Sequence, residues 1–433
     1  MQNIVMECAQ YIIIFLITCY TWQSFAYFGK KSEVQKRKIA ARQNFCILGV
    51  HFLGYVSGYL ATGKEELILL YGAQTVYFIC VIFLFPTAYP DCSRMLISHM
   101  CMLLNIGFII LTRLSYPLAV KQFLIVCGGS VLASVVPWIM KKFRELRKFA
   151  WIYGIIGILL LLTVYLTADT TNGAKLFLDF KYISFQPSEF VKLIYVFFIA
   201  AMFEKSSSFM QVIKTSLMAA VHVLLLVASK DLGGALIYAL VYLMMVYAAT
   251  KKNLYLFGGL LCASAASYTA WRLFDHIQVR VTAWLNPWTV IDTKGYQIAQ
   301  SLFAIGTGGF LGVGLYEGSP GQIPIVEQDF IFSAIAEELG GISAICVILI
   351  CLGCLLLFFN IAIESRNTFY RYLAYGLAVT YGIQVFLTIG GAMKLIPSTG
   401  VTLPLVSYGG SSVLSTLCMF AVIEGVKTFE KAE

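Results

Sequence analysis

Glu327 and Asp329 alternate just before an apolar run that opens Phe330-Ile331-Phe332. A carboxylate at such a border can take a proton from a hydroxyl within hydrogen-bond reach. Two carboxylates in alternation can also hold a divalent cation, magnesium or manganese, or simply cap the helix that follows. Spacing alone leaves these readings open. Lys192 lies a turn into an apolar run, where an ionisable group is costly and usually functional. With Arg280 and Lys394 it would attract an anionic lipid headgroup. Glu189 stands three residues before Lys192, so the two share a helical face. The plain reading there is a helix start, with Ser188 as cap after Pro187 and Glu189 favoured by the dipole. Asp231, in Lys230-Asp231-Leu232-Gly233-Gly234, is most simply an N-cap.

Several of these residues belong to one anomaly, the hydrophilic interruption of residues 274–328. A loop this long is either functional or disordered, and its aromatic and glycine content argues against disorder. Arg280, Trp284, Pro287 and Trp288 stand near its start. Within it, Gln297 and Gln300 share one helical face and Ile298, Leu302 and Ile305 another. That pattern predicts an amphipathic helix lying on the membrane surface. Gly306, Gly308, Gly309, Gly312 and Gly314 follow, and they permit close backbone approach and positive φ. Their spacing is neither a P-loop nor a Rossmann fingerprint. A second irregular stretch runs from Lys394 to Ser412, where two prolines and three glycines interrupt apolar sequence. Irregular backbone at that depth is tolerated only where protein buries it or a water-filled cavity borders it.

The elements that must position these residues are membrane helices. The 433 residues are 59% hydrophobic, only 12% charged, with a mean hydropathy of +0.81. Continuous apolar runs predict helices rather than an alternating β-barrel. Thirteen spans are expected: 9–29, 44–62, 66–86, 94–115, 123–140, 149–167, 189–204, 210–228, 232–249, 254–272, 330–359, 372–393 and 405–425. Lys and Arg collect after odd-numbered spans, at 30–42, 141–148, 251–252, 366–371 and the C-terminal tail with Lys427 and Lys431. The positive-inside rule therefore puts the N-terminus outside, the C-terminus inside and the loop before Asp329 outside. The net charge of +9 is accounted for by these loops and needs no nucleic acid. The first span lacks a basic start, which argues against a cleavable signal. Twelve cysteines scattered through apolar runs predict no disulfide or metal framework, and Cys351-Leu352-Gly353-Cys354 has no second pair.

Taken together, the motifs resemble the SEDS family (shape, elongation, division and sporulation), the group of FtsW, RodA and SpoVE. Phe185-Gln186-Pro187-Ser188-Glu189 with Lys192 resembles its FQPSE-x-x-K signature. Asp231-Leu232-Gly233 resembles its PDLG turn, with Lys230 in the proline position. Arg280, Asn286-Pro287-Trp288, Gly295-Tyr296-Gln297, Gln300-Ser301, the glycine run, Asp329-Phe330-Ile331-Phe332 and Glu337-Glu338 follow in the family's order. Pro397, Thr399-Gly400, Leu403-Pro404 and Ser407-Tyr408-Gly409-Gly410-Ser411-Ser412 resemble its last signature. Many members have a His-Thr pair where this chain has Glu327-Gln328, and Thr388 stands where an Asn is frequent.

The resemblance covers about residues 94–433 and implies an all-α polytopic membrane protein. A ten-helix core, residues 91–433, would follow about three extra N-terminal helices in 1–90. It further implies a peptidoglycan glycosyltransferase of the bacterial cytoplasmic membrane, serving division or elongation. Such enzymes polymerise lipid II, a disaccharide-pentapeptide on undecaprenyl pyrophosphate, and act with a class B penicillin-binding protein. Asp329 is implied as catalytic base. The expected substrate contacts are Arg280, Lys192, Glu189, Gln297, Gln300, Lys394 and Ser411, with Glu327 and Asp329 as a candidate cation site. A lipid II flippase and a non-catalytic scaffold for a penicillin-binding protein are the rival readings.

Overall fold

The computed structural model describes residues 2–143, 145–170, 174–180 and 183–430. Every one of the thirteen expected spans is a helix. Three precede the region of resemblance: α1 (Gln2–Phe28), α2 (Glu33–Thr62) and α3 (Glu66–Ala88). Then come α4 (Arg94–Leu114), α5 (Tyr116–Lys142), α6 (Ala150–Thr167), α7 (Pro187–Lys205), α8 (Phe209–Ala228), α9 (Leu232–Thr250) and α10 (Asn253–Leu273). The long interruption holds α11 (Asp275–Leu285) and α12 (Tyr296–Gly308), and the chain ends in α13 (Ile331–Glu364), α14 (Thr368–Ala392) and α15 (Gly410–Glu430). Eleven of the described helices are long and apolar enough to cross a membrane, so this is a multi-pass membrane protein. Neither α7 nor α10 is among them. α7 carries Glu189, Lys192, Glu204 and Lys205, and protein neighbours rather than lipid cover most of it.

Local chemistry sets the helix ends. Ser93 caps α4 by accepting from Leu96 N, and Asn367 caps α14 by accepting from Phe369 N and Tyr370 N. Pro187 occupies the first turn of α7, where its missing N–H costs nothing. Helix α7 therefore begins two residues earlier than expected, and Ser188 lies inside its first turn instead of capping it. Gln186 is the capping position and makes no side-chain cap bond. A two-stranded antiparallel hairpin, β1 (Leu178–Phe180) with β2 (Ile183–Phe185), precedes it.

The core is built around α4, buried along nearly its whole length, with α13, α14 and α7 beside it. Helices α1 and α2 pack against α13 and α4, so the N-terminal helices are joined to the rest along their length. The polar residues inside this N-terminal bundle find one another across helices: Tyr20 Oη with His99 Nδ1, His51 Nδ1 with Asn105 Oδ1, and Tyr55 Oη with Gln74 Oε1. Such pairs hold membrane helices in register, since lipid offers no alternative partner. Of the basic clusters, Arg144 and Lys431 lie outside the described residues.

One correction concerns the long interruption, whose residues 274–328 are largely structured, in keeping with the argument against disorder: the apolar face of α12 is covered by protein, not by lipid. Its apolar side faces α13: Ile298 is buried, Leu302 and Ile305 pack on the core, and Ser301 Oγ bonds Ser333 Oγ and the Ala392 carbonyl. An amphipathic period reports only that one face is covered, not whether lipid or protein covers it.

The glycine run is a splice into α13. Gly340 has φ 84° and ψ 167°, a conformation almost confined to glycine, and it breaks α13 after Leu339. In an unbroken helix Gly341 N would bond Glu337 O, and Ile342 N would bond Glu338 O. Here the four groups turn to the loop instead. Val313 N donates to Glu337 O at 2.9 Å and Gly314 N to Glu338 O at 3.2 Å. Gly341 N donates to Gly309 O at 2.9 Å and Ile342 N to Phe310 O at 3.1 Å. A side chain at Gly308 would place Cβ 2.0 Å from Ala336 O, and one at Gly312 would place it 2.3 Å from Glu338 O. The glycines serve backbone contact within the protein.

Candidate active site

Asp329 precedes α13 without capping it. The capping position is Phe330, which makes no side-chain cap bond, so the simple capping reading of both carboxylates fails. The turn is anchored from the last signature: Tyr408 N donates to Glu327 O at 2.7 Å and Ser407 Oγ to Gln328 O at 2.5 Å. The departure from a His-Thr pair thus falls on residues held by their backbone carbonyls. Burial pushes the Asp329 carboxyl up from its ordinary 3.8 to about 6; Arg280 opposes the shift and Glu327 adds to it. Arg280 and Glu327 therefore both lie within electrostatic reach of Asp329.

Arg280 and Trp284 sit four apart on α11, so they share a face. Both reach the irregular stretch after α14. Arg280 Nη1 donates to the Ser398 carbonyl at 3.2 Å, and Trp284 Nε1 to the Lys394 carbonyl at 3.2 Å. Lys394 has φ 60° and Gly400 φ 75°, and a Cβ on Gly400 would stand 3.3 Å from Arg280 Nη2. Glycine there lets the guanidinium close on the backbone. A small cavity of about 10 Å³ lies beneath Asp329, lined by Phe330, Leu387, Thr388, Ser398 and Gly400 among others. Thr388 Oγ1 donates to Gln384 O and Val401 O. Ligand pockets for drug-sized molecules are usually hundreds of Å³. This cavity is therefore too small to hold a ligand of that size.

A second polar cluster lies behind the same segment. Lys192 is 3% exposed, and its Nζ donates to Glu189 Oε2 at 2.9 Å and to Gln384 Oε1 at 2.8 Å. Glu189 Oε2 also accepts from Ser415 Oγ, and Gln384 Nε2 donates to the Thr402 carbonyl. Asp231 does cap α9, through Gly234 N at 2.9 Å, but its other oxygen accepts from Ser188 Oγ at 3.2 Å. Burial raises its carboxyl above the ordinary range against that N–H, and Glu189 adds to the rise. Glu189, Lys192, Asp231 and Tyr238 surround a space of about 50 Å³ closed by Gly400–Thr402. Gly400 and Val401 thus wall both clusters.

The remaining expected residues fall as follows. Ser411 Oγ accepts from Gln186 N at 2.9 Å, tying the start of α15 to the start of α7. Gln297 Nε2 donates to the Pro324 carbonyl at 3.2 Å. Gln300 lies on α12, half-buried. Among the described residues no group of three or more His, Cys, Asp or Glu could hold a metal ion. Sequence reasoning passed over Gln384, Ser415 and Arg113. Arg113 Nε donates to Glu338 Oε1 at 2.8 Å, its Nη2 to the Gly318 carbonyl, and its guanidinium lies over Tyr316. A lone polar residue in an apolar run was the available signal for Arg113 and Gln384.

Fold and site together define a polytopic helical membrane protein with a basic carboxylate and a guanidinium at one end of its bundle. The model of the FtsW/RodA/SpoVE family, described as a cell cycle protein, matches residues 93–432. A peptidoglycan glycosyltransferase RodA from Mycobacterium leprae is 34% identical over 360 residues, 77% of this chain and 77% of that one. A probable peptidoglycan glycosyltransferase FtsW from Geobacter sp. (strain M18) is 33% identical over 283 residues, 64% of this chain and 77% of that one. In fold, the chain is similar to the rod shape determining protein RodA of Thermus thermophilus, with TM-score 0.59, 23% identity, and coverage of 78% and 97%. It is also similar to a chain from a peptidoglycan synthase complex that couples polymerization and crosslinking, with TM-score 0.68, 24% identity, and coverage of 79% and 99%. The chain belongs to the FtsW/RodA/SpoVE family.

Proposed function

We propose that this chain, a peptidoglycan glycosyltransferase, polymerises lipid II with Asp329 as its general base. The acceptor sugar's 4-hydroxyl attacks the donor's anomeric carbon, the bond to the lipid pyrophosphate breaks, and inversion gives a β-1,4 link. The hydroxyl proton passes to the Asp329 carboxylate. The observation that carries this reading is a carboxylate raised to about 6 at the mouth of the helix bundle, beside Arg280. That value leaves it ionised at neutral pH yet more basic than an ordinary aspartate.

The leaving pyrophosphate needs cationic stabilisation. Arg280 spends one N–H on Ser398, and four of its five donors remain for an anion. Lys394 stands on the same irregular stretch. Lys192, its charge paired by Glu189, backs Gly400–Val401 from behind rather than contacting the pyrophosphate. Gln384 ties the Glu189–Lys192 pair to the Thr402 carbonyl, and Ser411 ties α15 to the start of α7, while Gln297 and Gln300 face the sugar hydroxyls. Glu327 and Asp329 would offer two oxygens to a divalent cation, whose charge would offset the pyrophosphate; a full shell needs further oxygens from substrate or water. The basic residues of the loops support an orientation with the C-terminus in the cytoplasm and Asp329 outside. A class B penicillin-binding protein is the partner that crosslinks the product.

The test uses purified full-length protein, fluorescent lipid II in detergent and candidate partners added in turn. Wild type gives glycan strands and Asp329→Asn, equally folded, gives none. Detergent abolishes sidedness, so a flippase gives no polymer. Full activity in Asp329→Asn would remove Asp329 from the base role.

A further inference from the structure

The splice that joins residues 309–314 to α13 is closed by a side chain from outside the family-matched region. Gln10, on α1, is 8% exposed. Its Nε2 donates to the Leu311 carbonyl at 2.6 Å and to the Glu338 carbonyl at 3.3 Å. One acceptor belongs to the inserted loop, the other to the broken helix. Its Oε1 lies against Gly314, where a Cβ would approach to 3.0 Å. Helix α2 packs on the residues just beyond this loop, since a Cβ on Gly58 would stand 2.7 Å from Tyr316 Oη. The short helical segment from Ile331 to Leu339 lies between this joint and Asp329. Its outer end is tied to residues 407–408, and its inner end has lost the helical bonds that would continue it.

We propose that Gln10 is a positioning residue for Asp329: α1 latches the inserted loop onto the break in α13 and so fixes the segment that Asp329 precedes. This rests on the reading of Asp329 as base. The N-terminal helices then have a role in this chain's own catalysis, beyond serving as an appended bundle. Glutamine suits the task because one amide nitrogen can donate to two carbonyls. Glutamate has the same shape and, ionised, cannot donate. Lysine regains donors.

The experiment compares Gln10→Glu, Gln10→Leu and Gln10→Lys in the full-length protein with its partner and fluorescent lipid II. A displacement of about 1 Å in a reacting group costs on the order of a hundredfold. Gln10→Glu and Gln10→Leu should lower kcat ten- to a hundredfold, by the same estimate, with little change in KM. Amide exchange should quicken at 309–314 and 341–342. Gln10→Lys should restore both kcat and amide protection. If Gln10→Leu does not fold, the Glu and Lys pair decides. Wild-type kcat in Gln10→Glu overturns the proposal, whether or not exchange changes. So does a loss that Gln10→Lys fails to restore. Amide exchange does not depend on which group is the base, so an active Asp329→Asn would remove the base reading while the latch itself is still read by exchange.

Discussion

Asp329 shows how one residue's surroundings set both its reactivity and its cost. Its carboxyl is raised in the folded protein, so folding favours the protonated form. The stability this gives is fully present below the unfolded value of 3.8 and is lost as pH rises through about 6. Polymerisation should accordingly fall about tenfold per pH unit below about 6, as the base becomes protonated. Asp329→Asn should be the more stable protein at pH 8 by up to about 3 kcal/mol, less whatever residual solvent contact returns. The advantage should fade toward pH 4. Thermal melts of both proteins at the two pH values check this, and equal melting temperatures at pH 8 would contradict the buried charge. Lys192 sits at the other extreme, with its charge matched inside the protein. Lys192→Met strands Glu189 opposite Gln384 and should cost about 3–5 kcal/mol, whereas adding Glu189→Gln should recover most of the loss. A melt series over the two single variants and the double measures the difference.

At the scale of elements, α13 works as two pieces. Its outer piece leads away from Asp329 and its inner piece crosses the apolar layer, with Gly340 between them. Gly340→Ala would put a Cβ 2.4 Å from Gly312 N and 2.5 Å from Phe310 O. The backbone conformation alone would cost about 1–3 kcal/mol for a residue with a side chain. Gly340→Ala should therefore melt lower and polymerise poorly. Gly306→Ala is the control: nothing lies within 4 Å of its added Cβ, so the change should be neutral or slightly stabilising. Helix α11 gives a second case. Its Arg280 and Trp284 dock on carbonyls of 394–398, so the loop before Asp329 and the stretch after α14 form one unit.

For the whole molecule, the arrangement of basic loops supports the proposed orientation, with the Asp329 end of the bundle outward. Alkaline phosphatase fused after Gly318 should be active, and a fluorescent protein fused to the C-terminus should fluoresce; the reverse pattern would invert the orientation. The composition that dictates insertion also explains the internal pairs of the N-terminal bundle. A polar side chain placed in hydrocarbon must find a protein partner.

The sequence by itself determined what depends on local chemistry. Apolar runs became helices because every backbone group in lipid must be bonded within its own segment. The order of motifs identified the family and pointed to Asp329, because those residues keep their spacing along the chain. Ser188 was misread because proline at a helix start and serine just after it satisfy similar local rules. The tertiary structure decided what depends on distant residues meeting. Arg280 reaches Ser398 across 118 positions, and Gln10 reaches Leu311 across 301. Only packing brings such partners together, since neither residue's neighbours in sequence carry information about the other. The same holds for the glycine run, which sequence marks as a place of close approach without saying what approaches. The answer is the broken backbone of α13, and it became visible only when the unpaired carbonyls and N–H groups of that break were traced to their partners.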